Sequence, residues 1–125
     1  MNLVDSSAWL EYFADGSNAN YFAAAIEDTA HLLVPSIVLY EVFKRILQQR
    51  DEGSALRAAA ILQQGRIIVI DASLALSAAK LGTDNKLAMA DSLILATARH
   101  HGATIWTQDA DFEGLAGVKF RAKAR

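Results

Sequence analysis

Short apolar runs rich in β-branched residues recur along the chain, separated by longer segments with apolar residues every three or four positions. The short runs predict strands, and the longer segments predict amphipathic helices. The predicted strands cover residues 3–5, 31–34, 67–70, 104–107 and 118–120. The predicted helices cover residues 8–13, 20–28, 37–47, 55–64, 71–82 and 87–101.

Polar residues and glycines indicate where these elements begin and end. Ser6 and Ser7 offer hydroxyls that can cap the first helix, and Pro35 is expected to end the second strand. Gly82 is expected to end the fifth helix, leaving residues 83–86 as a loop.

Strands of this kind, alternating with helices, predict a parallel sheet covered on both faces. The run at residues 67–70 is the most continuous and predicts a buried strand. No repeat, linker or composition shift divides the chain. We therefore expect one domain over residues 1–125, a three-layer α/β/α sandwich with a parallel sheet of four to five strands.

The composition is that of a folded protein. Hydrophobic residues make up 53% and charged residues 21%, which excludes a disordered chain. Cysteine is absent, so disulfides and thiolate metal sites are excluded. The first residues do not resemble a signal peptide, and no apolar run of about 18 residues predicts a membrane span. We expect a soluble, cytoplasmic protein with no membrane association.

Three carboxylates follow predicted strands. Asp5 ends the first strand, and Asp109 and Asp111 come directly after the strand at residues 104–107. In an open parallel sheet, the carboxyl ends of the strands form the edge at which ligands bind. These three acids are therefore candidates for one site.

Two further acids interrupt apolar stretches of predicted helices. Glu41 lies one turn after the second strand, and Asp91 lies near the start of the helix at residues 87–101. The helical neighbours of Asp91 at three and four positions include Leu87 and Ile94, so its carboxylate is expected on the core-facing side. A charge there is costly unless it is paired or bound to a metal.

Each acid also has an ordinary structural explanation. These explanations are backbone N–H bonds for Asp5, an N-cap for Asp91, Asx turns for Asp109 and Asp111, and an ion pair with Lys44 or Arg45 for Glu41. They do not explain why acids from separate elements point toward one edge with no basic residue among them. Carboxylates without Cys or His suit Mg²⁺ or Mn²⁺ better than zinc, which indicates metal-assisted phosphodiester hydrolysis.

The net charge of −2, from 12 basic and 14 acidic residues, argues at face value against a nucleic-acid ligand. If five of the acids are metal ligands, however, the basic residues outnumber the other acids. Bound cations add further positive charge. A polyanionic substrate therefore remains compatible with the sequence.

Four segments, in order, resemble the motifs of PIN domains, specifically those of VapC-type toxins of bacterial toxin–antitoxin pairs. They are LVDSSAWLE at residues 3–11, PSIVLYEV at residues 35–42, ADSLILATA at residues 90–98 and TQDADF at residues 107–112. Each motif alone is short, but together they span nearly the whole chain. The resemblance implies a PIN fold and a Mg²⁺- or Mn²⁺-dependent endoribonuclease that cleaves RNA at few sites and so inhibits translation. It also implies a VapB-like antitoxin partner and a toxin homodimer.

The resemblance also implies roles for individual residues. The residues that match the catalytic and metal-binding acidic quartet are Asp5, Glu41, Asp91 and Asp109. Asp111 matches a fifth, more variable acid that acts through water. Ser7 and Thr107 match hydroxyl positions close to the metal, with Thr107 orienting a carboxylate.

Other residues have two interpretations. His100 and His101 resemble a metal pair, but adjacent helical side chains diverge by about 100°, and a role at the helix C-terminus is the alternative. The aromatic residues of the first helix can stack on bases or pack in the core. Basic residues fit either phosphate contacts or a solvated surface; they are Lys119, Arg121, Lys123 and Arg125 at the end of the chain, and Lys44, Arg45 and Arg50 near Glu41.

Three other functions fit part of the pattern. A receiver-like domain needs a lysine after the last acidic strand, and none follows Thr107 until Lys119. A dehalogenase-type phosphatase needs a second aspartate where Ser7 stands. A PIN-like scaffold that binds RNA or a partner without cleavage is the third alternative.

Overall fold

The computed structural model describes residues 1–124, and a five-stranded parallel sheet forms its centre. The strands are β1 (Asn2–Val4), β2 (Leu32–Pro35), β3 (Arg66–Ile68), β4 (Thr104–Thr107) and β5 (Val118–Phe120). The helices are α1 (Ser6–Phe13), α2 (Ala19–Ile26), α3 (Ser36–Gln49), α4 (Glu52–Leu62), α5 (Ala72–Asn85) and α6 (Met89–His101). Short 3₁₀ turns cover Thr29–His31 and Ala110–Phe112. The expected α/β/α sandwich with four to five parallel strands is confirmed.

The strand order is β3-β2-β1-β4-β5, and every neighbouring pair is parallel. From β1 the chain first builds β2 and β3 on one side of the sheet. It then returns across β1 to build β4 and β5 on the other side. The switch point, where ligands bind in open α/β sheets, therefore lies between the carboxyl ends of β1 and β4.

Apolar residues of the central strands form the core of the sandwich. Leu3 and Val4 of β1 and Ile105 of β4 are buried together with Trp9 of α1. Phe112 packs into the same core from the 3₁₀ turn after β4. The chain segments that leave β1 and β4 are therefore anchored on both sides of the switch point.

The prediction of a buried strand at residues 67–70 was wrong in part. The strand is Arg66–Ile68, and it pairs only with β2 because it lies at the edge of the sheet. Val69, beyond its end, is 70% exposed. The apolar run resembles a central strand because a local pattern does not reveal the position of a strand in the sheet.

The predicted helix end at Gly82 was also wrong. Helix α5 continues to Asn85 and ends where Lys86 adopts a left-handed conformation, with φ 55°. Gly82 instead allows α6 to approach, since a Cβ at this position would lie 2.9 Å from the Cβ of Ser92. The glycine therefore sets how closely α5 packs against the helix that carries Asp91.

Of two smaller boundary predictions, one was confirmed and one was wrong. β2 ends at Pro35, as predicted, and Pro35 is its last residue, paired with Ile68 of β3. The cap of α1 is the carboxylate of Asp5, and the hydroxyls of Ser6 and Ser7 bond to other side chains. Among residues 1–124, no helix has the length and apolar character needed to cross a membrane.

Candidate metal centre

Three aspartates converge at the carboxyl edge of the sheet. Asp91 lies in the first turn of α6, Asp109 follows β4, and Asp111 lies in the 3₁₀ turn after it. One carboxylate oxygen from each residue lies within 4.8 Å of the others. Asp91 and Asp109 are distant in the sequence, and the packing of α6 against β4 brings them together.

The backbone after β4 fixes one of these three carboxylates, that of Asp109. Asp109 Oδ1 accepts a hydrogen bond of 2.9 Å from the backbone N–H of Asp111. This is the Asx-type turn that the sequence allowed for Asp109. It coexists with the cluster, because a carboxylate has a second oxygen and further lone pairs available for another partner.

Asp5 lies beside this cluster and is only 2% exposed. Its carboxylate accepts hydrogen bonds from Ala8 N at 3.0 Å, Ser7 Oγ at 2.8 Å and Thr107 Oγ1 at 2.6 Å. Thr107 Oγ1 also accepts a hydrogen bond of 2.9 Å from the backbone N–H of Asp109. A single buried hydroxyl thus connects the ends of β1 and β4.

Glu41 reaches the same edge from the second turn of α3. Its Oε1 accepts a hydrogen bond of 2.6 Å from Ser6 Oγ, next to Asp5 in the sequence. The ion pair with Lys44 or Arg45, the alternative explanation for Glu41, is not among the ion pairs of residues 1–124. Among the described residues, the group of acids within 4.8 Å of one another does not include Glu41 or Asp5.

The comparison with protein families agrees with the motifs and this geometry. The model of the PIN domain family matches residues 3–118. The chain belongs to the PIN domain family. This match does not support the receiver-like and phosphatase-like alternatives. In a search of curated proteins, no sequence matches the chain.

Solved structures resemble this PIN domain over almost its full length. A toxin–antitoxin complex from Klebsiella pneumoniae aligns with TM-score 0.81 and 24% identity, covering 99% of this chain and 100% of the other. VapC20 of Mycobacterium tuberculosis, described as a sarcin–ricin loop cleaving toxin, has TM-score 0.79 and 20% identity, covering 94% and 97%. VapBC2 of Rickettsia felis, bound to a promoter DNA fragment, has TM-score 0.74 and 16% identity, covering 97% of each chain. At these identities, the likeness establishes the fold.

The electrostatics of the PIN domain site reflect crowding of like charges. Burial and, to a smaller extent, the charge of Asp109 together raise the pKa of Asp5 to about 6, against the opposing effect of its hydrogen bonds. The pKa of Asp91 rises to about 7, first through burial and then through Asp109, Asp111 and Asp5. Four of the five predicted acids therefore act on one another within one site.

Within residues 1–124, no lysine or arginine neutralises this cluster. The two ion pairs in the described chain are His31–Asp28 and Lys80–Asp84, and neither includes an acid of the site. Clustered carboxylate oxygens without a basic partner suit a hard divalent cation. The donor set of this PIN domain thus fits Mg²⁺ or Mn²⁺.

The structure excludes the histidines from this site. His101 is ten residues beyond Asp91 on α6, which corresponds to about 15 Å along a helix. The rings of His100 and His101 are 5.1 Å apart and line a separate small cavity with Asp71. The aromatic residues of α1 pack on one another, with Trp9 fully buried, so Trp9 is a core residue and cannot stack on bases.

Sequence reasoning missed the roles of two polar residues beside the site. Ser6 was taken for a cap but holds Glu41. Asn18, only 6% exposed, donates from Nδ2 to Gln108 Oε1 at 3.1 Å and to the backbone oxygen of Ala122 at 3.0 Å. No local signal marks Asn18, because its partners lie about one hundred positions away in the sequence.

Proposed function

We propose that this PIN domain protein is a metal-dependent endoribonuclease that hydrolyses phosphodiester bonds of RNA. One observation carries the proposal. Asp91, Asp109 and Asp111 present carboxylate oxygens within 4.8 Å of one another, beside the buried Asp5, at the switch point of a parallel sheet. Without a metal, a cluster of this kind is electrostatically unfavourable. One or two bound divalent cations would offset its negative charge.

We assign the metal ligands to the acids that face this edge. Asp91, Asp109 and Asp111 are the proposed direct ligands, and Asp5 and Glu41 complete the acidic site. When bound, Mg²⁺ or Mn²⁺ supplies an activated water and offsets the charge that develops on the phosphodiester. The chemistry is hydrolysis, in which water adds to phosphorus and the bond to the leaving oxygen breaks.

The protein contributes fixed geometry to this reaction. Thr107 and Ser7 are positioning residues, because their hydroxyls hold Asp5 in one orientation. The Asx turn holds Asp109 against the backbone of Asp111. Carboxylates fixed before the substrate arrives do not have to be ordered during the reaction.

We further propose that the protein acts as the toxin of a toxin–antitoxin module and inhibits translation in the cytoplasm. The motif order and the structural similarity to toxin–antitoxin complexes support this role. A cognate VapB-like antitoxin is the proposed partner. Co-expression with a candidate antitoxin should restore growth that the toxin alone arrests.

We also propose a homodimer. Large apolar side chains are exposed on and beside α5 and α6, with Val69 70%, Leu76 75% and Met89 73% exposed. Exposed apolar side chains of this size favour an interface where they form a contiguous patch. Light scattering should give twice the monomer mass, and Leu76→Glu should reduce it. A monomeric mass for the wild type would refute the dimer.

The nuclease proposal is tested with purified protein, labelled RNA and Mg²⁺ or Mn²⁺. Asp91→Asn and Asp109→Asn should each lower cleavage at least about 100-fold, since even partners of metal ligands typically contribute 10–100-fold. Asp28→Asn is the matched control, because Asp28 pairs with His31 away from the site. Cleavage by both site variants at the wild-type rate, or cleavage unchanged by EDTA, would refute the proposal. Metal binding without any cleavage would favour the non-catalytic PIN scaffold.

A further inference from the structure

Basic residues at the end of the chain occupy defined positions on the folded domain. Lys119 Nζ lies 4.4 Å from the ring centroid of Trp106, and Arg121 Cζ lies 4.6 Å from that of Tyr21. The two rings contact each other, with centroids 5.3 Å apart. These two cations are thus held on an aromatic surface. Arg125, the last basic residue of the predicted tail, lies outside the described residues.

The segment that carries these cations is tied to the candidate metal centre. The backbone N–H of Arg121 donates to the backbone oxygen of Thr107 at 2.9 Å. One residue later, the backbone oxygen of Ala122 accepts a hydrogen bond from the buried Asn18. Asn18 also binds Gln108, between Thr107 and Asp109. The path of the terminal segment is therefore fixed relative to the acids.

The next basic residue, Lys123, reaches a cleft of about 300 Å³ that adjoins the acids. Arg45 of α3 lines the same cleft, together with Gln108 and Ser7. Ser7 also donates a hydrogen bond to Asp5, so the cleft and the acidic site share a residue. Neither ion pair within residues 1–124 includes Lys123 or Arg45.

One acid, Glu11, also lines the cleft, but its carboxylate already has a structural role. Glu11 Oε2 accepts a hydrogen bond of 3.0 Å from the backbone N–H of Asn18. The carboxylate also lies against Gly16, where any Cβ would collide with it. Glu11 thus stabilises the turn between α1 and α2, and two cations face the cleft against this single acid.

We propose that Lys119, Arg121, Lys123 and Arg45 form a phosphate-binding row that guides single-stranded RNA to the acids. This inference rests on the proposed nuclease function and extends it to substrate binding. Lys119 lies in β5 and Arg121 directly follows its end, and alternate residues of a strand lie on one face about 6.7 Å apart, so these two charges are neighbours. Lys123 follows two residues later in the sequence. The faces of Trp106 and Tyr21 are covered by the cations, which leaves the backbone phosphates as the groups to be recognised. The row therefore binds RNA without reading its sequence.

The test uses fluorescein-labelled (U)₁₂ and (A)₁₂ oligoribonucleotides, with fluorescence anisotropy measured over a range of salt concentrations. The full chain carries Asp91→Asn, so that the probe is not consumed. The further single substitutions Lys119→Ala, Arg121→Ala, Lys123→Ala and Arg45→Ala should each weaken binding of both probes about fivefold at 0.1 M salt. Each should also reduce the slope of log K against log salt by about 0.7, the value for one phosphate contact with a single strand.

The controls separate local phosphate contacts from general charge. Arg99→Ala removes an exposed cation near the end of α6. Because α6 leads to the amino end of β4, this residue lies at the opposite edge of the sheet from the acids. The substitution should therefore leave the binding of both probes unchanged. Lys123→Arg should retain binding. Unchanged salt slopes in all four variants would overturn the row, as would an equal loss in Arg99→Ala or a loss for one probe alone. Thermal unfolding of each variant checks that the fold is intact.

Cleavage kinetics distinguish this proposal from the nuclease function itself. In the otherwise wild-type chain, the four substitutions should raise KM for RNA and leave kcat unchanged. If the wild type cleaves RNA and all four variants bind and cleave as it does, the row is refuted and the nuclease function stands. If nothing is cleaved but the salt slopes fall as expected, the row stands and the nuclease proposal fails.

Discussion

The side-chain hydroxyl of Thr107 lies 2.6 Å from Asp5 Oδ2, although the two residues are 102 positions apart in the sequence. The same hydroxyl accepts the backbone N–H of Asp109. Both Thr107 and Asp5 are buried, at 0% and 2% exposure. The orientation of two acids at the site thus depends on one hydroxyl group at the end of β4.

Replacing this hydroxyl should impair both the site and the fold. Thr107→Val keeps the shape of the side chain but leaves the N–H of Asp109 without its partner, at a cost of about 1–3 kcal/mol in the free energy of unfolding. Because Asp5 also loses its shortest hydrogen bond, metal affinity should fall about 10–100-fold.

The matched control is Thr107→Ser, which retains the hydroxyl and should keep metal affinity close to that of the wild type. Calorimetric titration with Mn²⁺ and chemical unfolding measure the two effects. Equal affinities for Thr107→Val and the wild type would contradict the positioning role.

The raised pKa values predict how the stability of the metal-free protein depends on pH. The pKa of Asp91 is about 7 in the folded protein, against an ordinary value of 3.8. The folded state therefore favours the protonated carboxyl, and this stabilisation is complete below about pH 4 and is lost as the pH rises through about 7. Asp91→Asn is neutral throughout, so in EDTA it should be more stable than the wild type at pH 8, with the difference vanishing near pH 4.

Thermal unfolding of the two proteins from pH 4 to pH 8 measures this difference. Added Mg²⁺ should reverse it at pH 8, because the ion favours the ionised carboxylates of the wild type. A difference in unfolding temperature that does not vary with pH would show that Asp91 is not destabilised by its neighbours.

Ser6 offers a test of the position of Glu41. Its hydroxyl is the hydrogen-bond donor to Glu41 Oε1, at 2.6 Å. Ser6→Ala should free the carboxylate and lower RNA cleavage by about tenfold, the lower range for loss of a supporting hydrogen bond around a metal site. Ser73→Ala, an exposed serine in the first turn of α5, is the matched control and should cleave as the wild type does. Wild-type cleavage by Ser6→Ala would show that this contact does not orient Glu41.

Gly82 offers a test of how α5 positions the helix that carries Asp91. Gly82→Ala would place its Cβ 2.9 Å from Ser92 Cβ, closer than real contacts allow. The overpacking should cost about 1–3 kcal/mol, more than the roughly 1 kcal/mol that alanine gains over glycine in a helix. Chemical unfolding measures the loss, and the double variant with Ser92→Gly should recover most of it. A Gly82→Ala protein as stable as the wild type would show that the helices adjust without strain.

Much of the site was predictable because its acids follow strands. Asp5 and Asp109 come directly after β1 and β4, and parallel strands end at one edge whatever their order. The metal-binding role assigned to them remains a prediction. Ser6 and Asn18 were not predictable, because their partners are determined by which helices and loops meet at this edge.

The sequence by itself determined the class of fold, the strands and the acids that end them, since these follow from local patterns of apolar and polar residues. Only the tertiary structure decided that β1 lies beside β4, that β3 is an edge strand and that α6 packs closely against Gly82. These features depend on contacts between distant segments. The motif resemblance implied that Thr107 orients a carboxylate, but that this carboxylate belongs to Asp5 depends on the pairing of β1 with β4.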